Sequence, residues 1–257
     1  MIVFLIKRLL NAAMVMLVVA LLAFSIFRFV GDPIQLMVNE QTTQAERNEL
    51  RENLGLNDPF LVQYARFVTN AVQGDFGMSY RNQQEVMSLI AERFPATIEL
   101  VLMATIISLV VGVPLGVLTA IHRGRWYSEG LQFLSIIGVS LPSFVIGILL
   151  ILVFSVILNV APAFGRDEVV SIGWWTTGLF TPSGRAALVL PSVALCIFQL
   201  TLIMRLVRAE MLEVLRTDYI KFARARGLSD RSVYFGHALK NTLVPVITIT
   251  GLQLGAL

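Results

Sequence analysis

The chain has 257 residues, of which 56% are hydrophobic and only 14% are charged. Soluble domains carry about 25% charged residues, so this composition excludes an ordinary soluble domain and indicates a membrane protein. The formal net charge of +3 is too small to indicate a nucleic-acid-binding protein. The single cysteine, Cys196, excludes a disulfide framework or a thiolate metal site within one chain.

Five segments are apolar and close to the length of about 20 residues that a helix needs to cross a bilayer. They are residues 9–27, 97–121, 131–160, 186–204 and 242–257. The first follows Lys7 and Arg8 and is not followed by an A-x-A cleavage site. We therefore interpret it as a retained transmembrane helix, with a cleaved signal peptide as the alternative. The third contains Pro142 and is long enough to be tilted or kinked.

The loops between the spans also carry local signals. Residues 42–54 have the charge spacing of a helix, which Gly55 ends. A later loop contains the pair Trp174 and Trp175. Tryptophans at this depth usually mark the headgroup interface, and a role in stacking on a substrate is the alternative.

The distribution of basic residues predicts the orientation of the chain. Residues 31–96 carry nine acidic and five basic side chains, whereas residues 208–240 carry four acidic and seven basic ones. The short turn at 122–128 adds Arg123 and Arg125. Because Lys and Arg stay on the cytoplasmic side, we expect the N-terminus, the 122–128 turn and the 208–240 loop to be cytoplasmic.

The fifth span is short and has no basic residues after it. A helix that ended inside the bilayer would leave backbone carbonyls unpaired, each at a cost of several kcal/mol. We therefore expect the sequence to be a fragment, with at least one further span after Leu257.

Several kinds of chemistry are not indicated by the sequence. It has no P-loop, G-x-S-x-G or H-E-x-x-H motif, and its two histidines, His122 and His237, have no partners at metal-ligand spacing. The centres of spans two to five carry no Asp, Glu, Lys, Arg or His, and Glu99 lies at the edge of span two. Ion-driven transporters usually need such residues, so the energy for any transport would come from outside the membrane domain.

The 208–240 loop has a defined helical pattern. Apolar positions continue in helical period from span four to about Arg216, and Thr217 or Asp218 is a suitable N-cap. A two-turn helix over 219–226 would end at Gly227, which supplies a left-handed C′ position. Ser229 can cap a following helix over 230–239.

One side of the short helix groups Tyr219, Phe222, Ala223 and Arg226. Ala223 and Gly227 are four residues apart, a spacing of small residues that allows a partner surface to approach closely. The helix could dock in a groove of a cytoplasmic subunit, or it could belong to a solvated basic loop that follows the positive-inside rule. Composition does not decide between these two interpretations.

The sequence of this loop resembles the EAA-type loop of ABC importer permeases, most closely that of the B-type subunit of dipeptide, oligopeptide and nickel systems. The resemblance covers essentially the whole chain, although Lys221-Phe222-Ala223 stands where the family acronym has Glu-Ala-Ala. It is carried by Asp218-Tyr219-Ile220, by Ala223 to Leu228, by Gly74-Asp75-Phe76-Gly77, by Pro95-Ala96-Thr97-Ile98-Glu99-Leu100 and by Leu141-Pro142-Ser143-Phe144.

This resemblance implies an all-α polytopic membrane protein with the type I ABC permease fold, of whose six helices the chain shows five. Residues 1–30 would form an N-terminal transmembrane helix, 31–96 an extracytoplasmic loop with short helices, and 97–257 the permease core with the coupling loop 208–240. The short helix would be the coupling helix that docks on an ATPase. The residues implied in that contact are Asp218, Tyr219, Phe222, Ala223, Arg226, Gly227, Leu228 and Ser229.

The implied partners are a second homologous permease subunit, two cytoplasmic ATPase subunits, an extracytoplasmic solute-binding protein and membrane lipid. ATP would be bound and hydrolysed by the ATPases, so we expect no catalytic, cofactor-binding or metal-binding residue in this chain. The expected function is to form half of a path for di- or oligopeptides across a bacterial inner membrane. An importer of nickel, glutathione or another small solute is the alternative, and a polytopic membrane enzyme or scaffold is a further one.

Overall fold

The computed structural model describes residues 1–30, 34, 38, 42–79, 81–166 and 168–255, without the side chains of residues 27–30. Much of the start of the expected 31–96 loop, and the last two residues of the expected fifth span, therefore lie outside the described residues. The chain divides into two compact units, Met1–Arg93 and Phe94–Leu257. Helices dominate both units, as expected for an all-α protein.

The first unit contains three described helices and a short hairpin. They are α1 (Ile2–Val30), α2 (Gln44–Asn53), α3 (Phe60–Val72), β1 (Met78–Ser79) and β2 (Gln84–Glu85). The membrane-span candidate in α1 is Ile2–Ile26, which begins earlier than the predicted residue 9. The apolar residues before Lys7 extend the helix, because a basic pair does not interrupt backbone hydrogen bonding.

A capping box confirms the predicted helix over residues 42–54. The backbone N–H of Thr43 donates to Glu46 Oε2 at 2.9 Å, and the backbone N–H of Glu46 donates to Thr43 Oγ1 at 3.4 Å. These bonds to Thr43 lower the pKa of Glu46 from its ordinary value. The helix ends before Gly55, whose φ of 63° is left-handed.

Aromatic contacts join α1 to α3. The ring of Phe24 lies 5.5 Å from that of Phe60, 5.9 Å from that of Tyr64 and 5.7 Å from that of Phe67, measured between centroids. The hydroxyl of Tyr64 also donates to the carbonyl of Leu17 at 2.7 Å. Aromatic pairs at such distances stabilise packing beyond their buried area.

The two longest described helices lie wholly or mostly in the second unit. Its elements are α4 (Val86–Ile121, which begins in the first unit), α5 (Trp126–Ser140), α6 (Ser143–Leu150), a π-helical segment (Ile151–Ile157), β3 (Val170–Ile172), β4 (Trp175–Thr177), α7 (Pro182–Val214), α8 (Asp218–Ala225), a second π-helical segment (Ser232–Ala238) and α9 (Leu239–Leu254). Strands β3 and β4 form an antiparallel hairpin in which Ile172 is paired with Trp175.

The predicted third span is broken at Pro142. Helices α5 and α6, with the π-helical segment that continues α6, meet at an angle of 104°. Leu141 has φ −90° and ψ 130°, the extended conformation favoured by a residue that precedes proline. The predicted kink is therefore confirmed as a complete break of the helix.

Membrane-span candidates follow from helix length and apolarity. Among the described residues, α1, α4 and α7 are long and apolar enough to cross a membrane, and the bent pair makes a fourth if it counts as one span. The predicted fifth span is present as α9, but its 16 residues extend only about 24 Å at 1.5 Å per residue.

Helices α4 and α7 are in close contact. A Cβ added to Gly116 would lie 2.6 Å from Val207 Cβ and 2.8 Å from the carbonyl oxygen of Met204. Small residues of this kind let membrane helices approach each other. About two turns closer to the N-terminus of α4, in the same helix–helix contact, Ser108 and Thr105 donate to Gln199 Oε1 at 3.3 and 3.4 Å.

Candidate coupling site

Helix α7 extends beyond its apolar core into the 208–240 segment, as the periodicity predicts. Val207 and Met211 lie on the predicted stripe and have no exposed surface. They belong to a core cluster that also includes Val117 of α4, Ile220 of α8 and Val246 of α9. The segment is thus packed against the helices on either side of it in sequence.

Helix α8 begins directly after Thr217, which is one of the two predicted N-cap residues. Its side chain makes no capping bond, because Thr217 Oγ1 donates to the carbonyl of Val214 at 2.6 Å instead. Asp218 lies in the first turn, where a carboxylate is favourable for the helix dipole, and it accepts from Lys221 Nζ at 2.8 Å.

The C-terminus of α8 forms a Schellman motif around the predicted Gly227. Gly227 donates its N–H to the carbonyl of Arg224 at 2.9 Å, and Leu228 donates to that of Ala223 at 3.3 Å. The φ of Gly227 is 77°, so the left-handed conformation predicted for this residue is confirmed. A short helix whose C-terminus is closed in this way does not depend on its length alone for stability.

The inner side of α8 contains Ile220 and Ala223, which are 0% and 6% exposed. Ala223 therefore lies against the chain's own core, whereas the sequence grouped it with Tyr219, Phe222 and Arg226 as a docking residue. The reason is that the apolar residues one turn apart, Ile220 and Ala223, cover the core cluster that includes Met211 and Val233. A Cβ at Gly227 would meet nothing within 4 Å, so Gly227 itself remains open to the surroundings.

The outer side of α8 presents aromatic and basic side chains. Phe222 is 63% exposed, and the guanidinium of Arg226 lies 5.8 Å from its ring centroid. Tyr219 is 41% exposed, and its hydroxyl accepts from Asn241 Nδ2 at 2.6 Å. Of the predicted docking residues, Tyr219, Phe222 and Arg226 therefore lie together, and Asp218, Leu228 and Ser229 are exposed at the two ends of the helix.

Ser229 caps the next helix, as predicted. Its Oγ accepts from the backbone N–H of Ser232 at 3.4 Å. The helix that follows begins at Asp230, is π-helical over Ser232–Ala238 and is α-helical again from Leu239. The predicted helix over 230–239 therefore continues directly into the predicted fifth span.

Arg208 is a further residue of this region that sequence reasoning treated only as a topological charge. Its side chain is 14% exposed, its Nη1 donates to Ser128 Oγ at 3.1 Å, and its Nη2 lies 3.7 Å from Glu129 Oε1. Ser128 in turn donates to the carbonyl of Thr119 at 3.0 Å. Arg208 thus connects α7 to the start of α5 and the end of α4, and only the tertiary structure reveals this.

Two family models together match most of the chain. Residues 112–257 match the family described as binding-protein-dependent transport system inner membrane component, and residues 1–101 match the N-terminal region of such components. The apolar helices and this match together place the chain in an inner membrane as a multi-pass protein.

Curated relatives resemble the chain over nearly its full length. It is 36% identical to a dipeptide transport system permease protein of Alkalihalophilus pseudofirmus, over 98% of this chain and 79% of that protein. It is 38% identical to an oligopeptide transport system permease protein of Bacillus subtilis, over 98% and 78%. It is 35% identical to a dipeptide transport system permease protein of Escherichia coli, over 93% and 76%. The chain therefore belongs to the family of binding-protein-dependent transport system inner membrane components, which have the type I ABC permease fold.

Proposed function

We propose that this chain is a permease subunit of an ATP-driven importer for dipeptides or oligopeptides, and that α8 docks on an ATPase subunit. The observation that carries the docking proposal is the two-sided character of α8. Its inner side is buried in the chain's own core, whereas its outer side presents Phe222, Tyr219 and Arg226. Exposed aromatic and arginine side chains that lie together are typical of residues that anchor a protein interface.

The buried inner side supports a coupling role. Ile220 and Ala223 share one core with Met211 of α7 and Val246 of α9. Cores of this kind are close-packed and transmit displacement instead of absorbing it. A partner that moved α8 would therefore move the ends of α7 and α9 with it.

The peptide substrate is inferred from the relatives. The relatives described above are a dipeptide permease, an oligopeptide permease and a second dipeptide permease. We infer the same substrate class for this chain. The source of energy would be ATP hydrolysis by the two partner ATPases, with a second permease subunit completing the path and a solute-binding protein delivering the peptide.

The proposed orientation places the N-terminus and α8 in the cytoplasm. The basic residues of the 208–240 segment support this assignment, as does the acidic excess in 31–96. The β3–β4 hairpin precedes α7 and α8 follows it, so the hairpin then lies on the extracytoplasmic side, at the opposite end of α7 from α8.

A crosslinking experiment tests the docking of α8. The natural Cys196 is only 2% exposed and should not react. A cysteine in place of the exposed Phe222 should therefore be the accessible thiol of the chain. In the assembled transporter we expect a maleimide–benzophenone crosslinker, attached to Phe222→Cys, to photocrosslink to an ATPase subunit. Arg231→Cys, an exposed position on the next segment, is the matched control and should crosslink weakly.

Peptide uptake provides the second measurement. Phe222→Asp should insert into the membrane normally and abolish uptake of a radiolabelled dipeptide, because a charge replaces the central anchor of the interface. Normal uptake by Phe222→Asp, together with no crosslink from Phe222→Cys, would contradict docking through this side of α8.

A further inference from the structure

Glu99 is a buried carboxylate that the coupling site does not use. It lies on α4 and is only 3% exposed. A carboxylate removed from water in this way is costly unless donors surround it. The structure supplies those donors from a single neighbouring segment, residues 166–178.

Three donors converge on the two oxygens of Glu99. Trp175 Nε1 donates to Oε1 at 3.3 Å, and the backbone N–H of Gly178 donates to Oε2 at 3.3 Å. Arg166 Nη2 lies 3.7 Å from Oε2. These donors come from before β3, from β4 and from just after β4, so one carboxylate contacts both ends of the hairpin.

Arg166 also holds the hairpin directly. Its Nη1 donates to Thr176 Oγ1 at 2.9 Å, and its Nη2 donates to the carbonyl of Thr176. The guanidinium therefore lies between β4 and the Glu99 carboxylate. Since arginine presents its donors in a fixed planar array, this arrangement fixes the orientation of β4 as well as its position.

The segment after the hairpin leads straight into α7. Thr181 Oγ1 donates to the carbonyl of Glu168 at 2.6 Å and accepts from the N–H of Gly184 at 3.1 Å, which caps α7. Gly178 and Gly184 are so close that a Cβ on Gly184 would overlap the carbonyl oxygen of Gly178. The hydrogen bond from Gly178 to Glu99 therefore helps to determine where α7 begins.

We propose that Glu99 is a positioning residue that anchors the β3–β4 hairpin to α4 by accepting from Trp175, Gly178 and Arg166 together. The hairpin faces the extracytoplasmic side only if the proposed function and its orientation hold, but the anchoring itself does not depend on that orientation. The arrangement is specific for an acceptor at position 99. An exchanged ion pair cannot replace it, because arginine has no acceptor for the indole and the backbone N–H.

Thiol labelling measures whether the hairpin stays anchored. Thr177 is 3% exposed at the end of β4, so Thr177→Cys should be protected from a maleimide in membrane fragments that are open on both sides. Adding Glu99→Gln should raise its labelling rate by at least about tenfold, since protection reports local opening. Ile172→Cys, which starts from 56% exposed, should label rapidly in either background.

Matched variants separate anchoring from general destabilisation. Glu168→Gln removes an exposed carboxylate of the same segment and should leave the protection of Thr177→Cys unchanged. Arg166→Lys keeps the charge but loses the planar array of donors to Thr176 and Glu99, so it should lose part of the protection. The exchange of Glu99→Arg with Arg166→Glu should not restore it. The natural Cys196 should stay unlabelled in Glu99→Gln, which shows that the helical core is intact.

Two results would overturn the proposal. One is equal protection of Thr177→Cys with Glu99 and with Glu99→Gln, and the other is full protection in the exchanged pair, which would indicate a simple ion pair. If Cys196 becomes labelled in Glu99→Gln, the milder Trp175→Phe, which removes only one donor, takes its place in the first comparison. Trp175→Phe should still raise the labelling of Thr177→Cys. If a transporter that contains the unmodified chain does not take up dipeptides, the proposed function is contradicted, whereas the anchor is not affected.

Discussion

Leu228 donates its backbone N–H to the carbonyl oxygen of Ala223 at 3.3 Å, across the left-handed Gly227. This bond ends α8 and turns the chain towards Ser229 and the next helix. Ala223 thus has two roles, since its carbonyl closes the helix while its side chain lies in the core. The same residue, Ala223, therefore helps to fix both the end of the proposed coupling helix and its orientation.

Substitution of Gly227 tests the backbone requirement at this point. A Cβ there would meet no atom within 4 Å, so any cost of Gly227→Ala comes from φ of 77° and not from a clash. We expect a loss of about 1–2 kcal/mol in the free energy of unfolding. Thermal unfolding of the purified chain measures it. Gly227→Asn should cost less and Gly227→Val more, because asparagine tolerates this conformation and β-branched residues do not; equal effects would exclude backbone strain as the cause.

The two sides of α8 should respond differently to truncation. Ile220→Ala removes a side chain with no exposed surface and should reduce stability by about 2–5 kcal/mol. Phe222→Ala removes a largely exposed ring and should change stability by less than about 1 kcal/mol while it strongly reduces dipeptide uptake. Thermal unfolding and uptake are measured on the same preparations. A stability loss at Phe222 as large as that at Ile220 would contradict the assignment of inner and outer sides.

The contact between α4 and α7 requires glycine at position 116. Gly116→Val would place atoms within van der Waals overlap of Val207 and of the Met204 carbonyl, so we expect the helices to separate and the protein to lose its thermal transition or assemble poorly. Gly251→Ala on α9 is the control, because a Cβ there meets nothing within 4 Å. It should leave thermal stability equal or slightly higher.

The polar cluster at Gln199 should contribute little stability. Gln199 accepts weak hydrogen bonds from Thr105 and Ser108 at 3.4 and 3.3 Å, and within the described residues its Nε2 has no partner. Gln199→Leu loses two long bonds and removes one unpaired donor, so the free energy of unfolding should change by less than about 1 kcal/mol. A loss above about 3 kcal/mol, measured by thermal or denaturant unfolding in detergent, would indicate that Nε2 has a strong partner.

Helix α2 should depend on pH through Glu46. Its pKa lies below the ordinary value of 4.5 because Thr43 donates to the carboxylate in the folded state. A depressed pKa means that the stabilisation is complete above pH 4.5 and is lost as the pH falls through the lower, folded value. Hydrogen exchange of the first-turn amides of α2 should therefore accelerate, after correction for intrinsic rates, as the pH falls below 4.5. Glu46→Gln should exchange at a rate that does not respond to pH in this window.

The local chemistry of the 217–229 segment was predictable, whereas its orientation was not. A glycine after two helical turns indicates a left-handed C′ residue, and a serine before an acidic turn indicates an N-cap, because both depend on adjacent residues alone. Ala223 is different. It is one turn from both Tyr219 and Ile220, and only the position of the α7 stripe decides which of these two sides is buried.

Long-range partners were not predictable from one sequence. Glu99 and Arg166 are far apart in the sequence, and no local sequence pattern around either residue predicts their contact. The same holds for Arg208 and Ser128. The π-helical segments were also missed, because an extra residue in a helical turn leaves no signal in a short apolar run. Three of the five predicted spans, and a fourth if the bent pair counts as one, match helices long and apolar enough to cross a membrane, since length and apolarity are properties of the sequence.

The break at Pro142 limits what can surround it in the bilayer. Proline has no N–H, so the carbonyl four residues before it has no helical donor, and the extended Leu141 interrupts the regular pattern as well. Hydrocarbon chains offer no hydrogen bonds to such groups, and non-helical backbone at membrane depth is found only beside protein or water. The elbow between α5 and α6 must therefore be separated from the lipid tails by protein or by water.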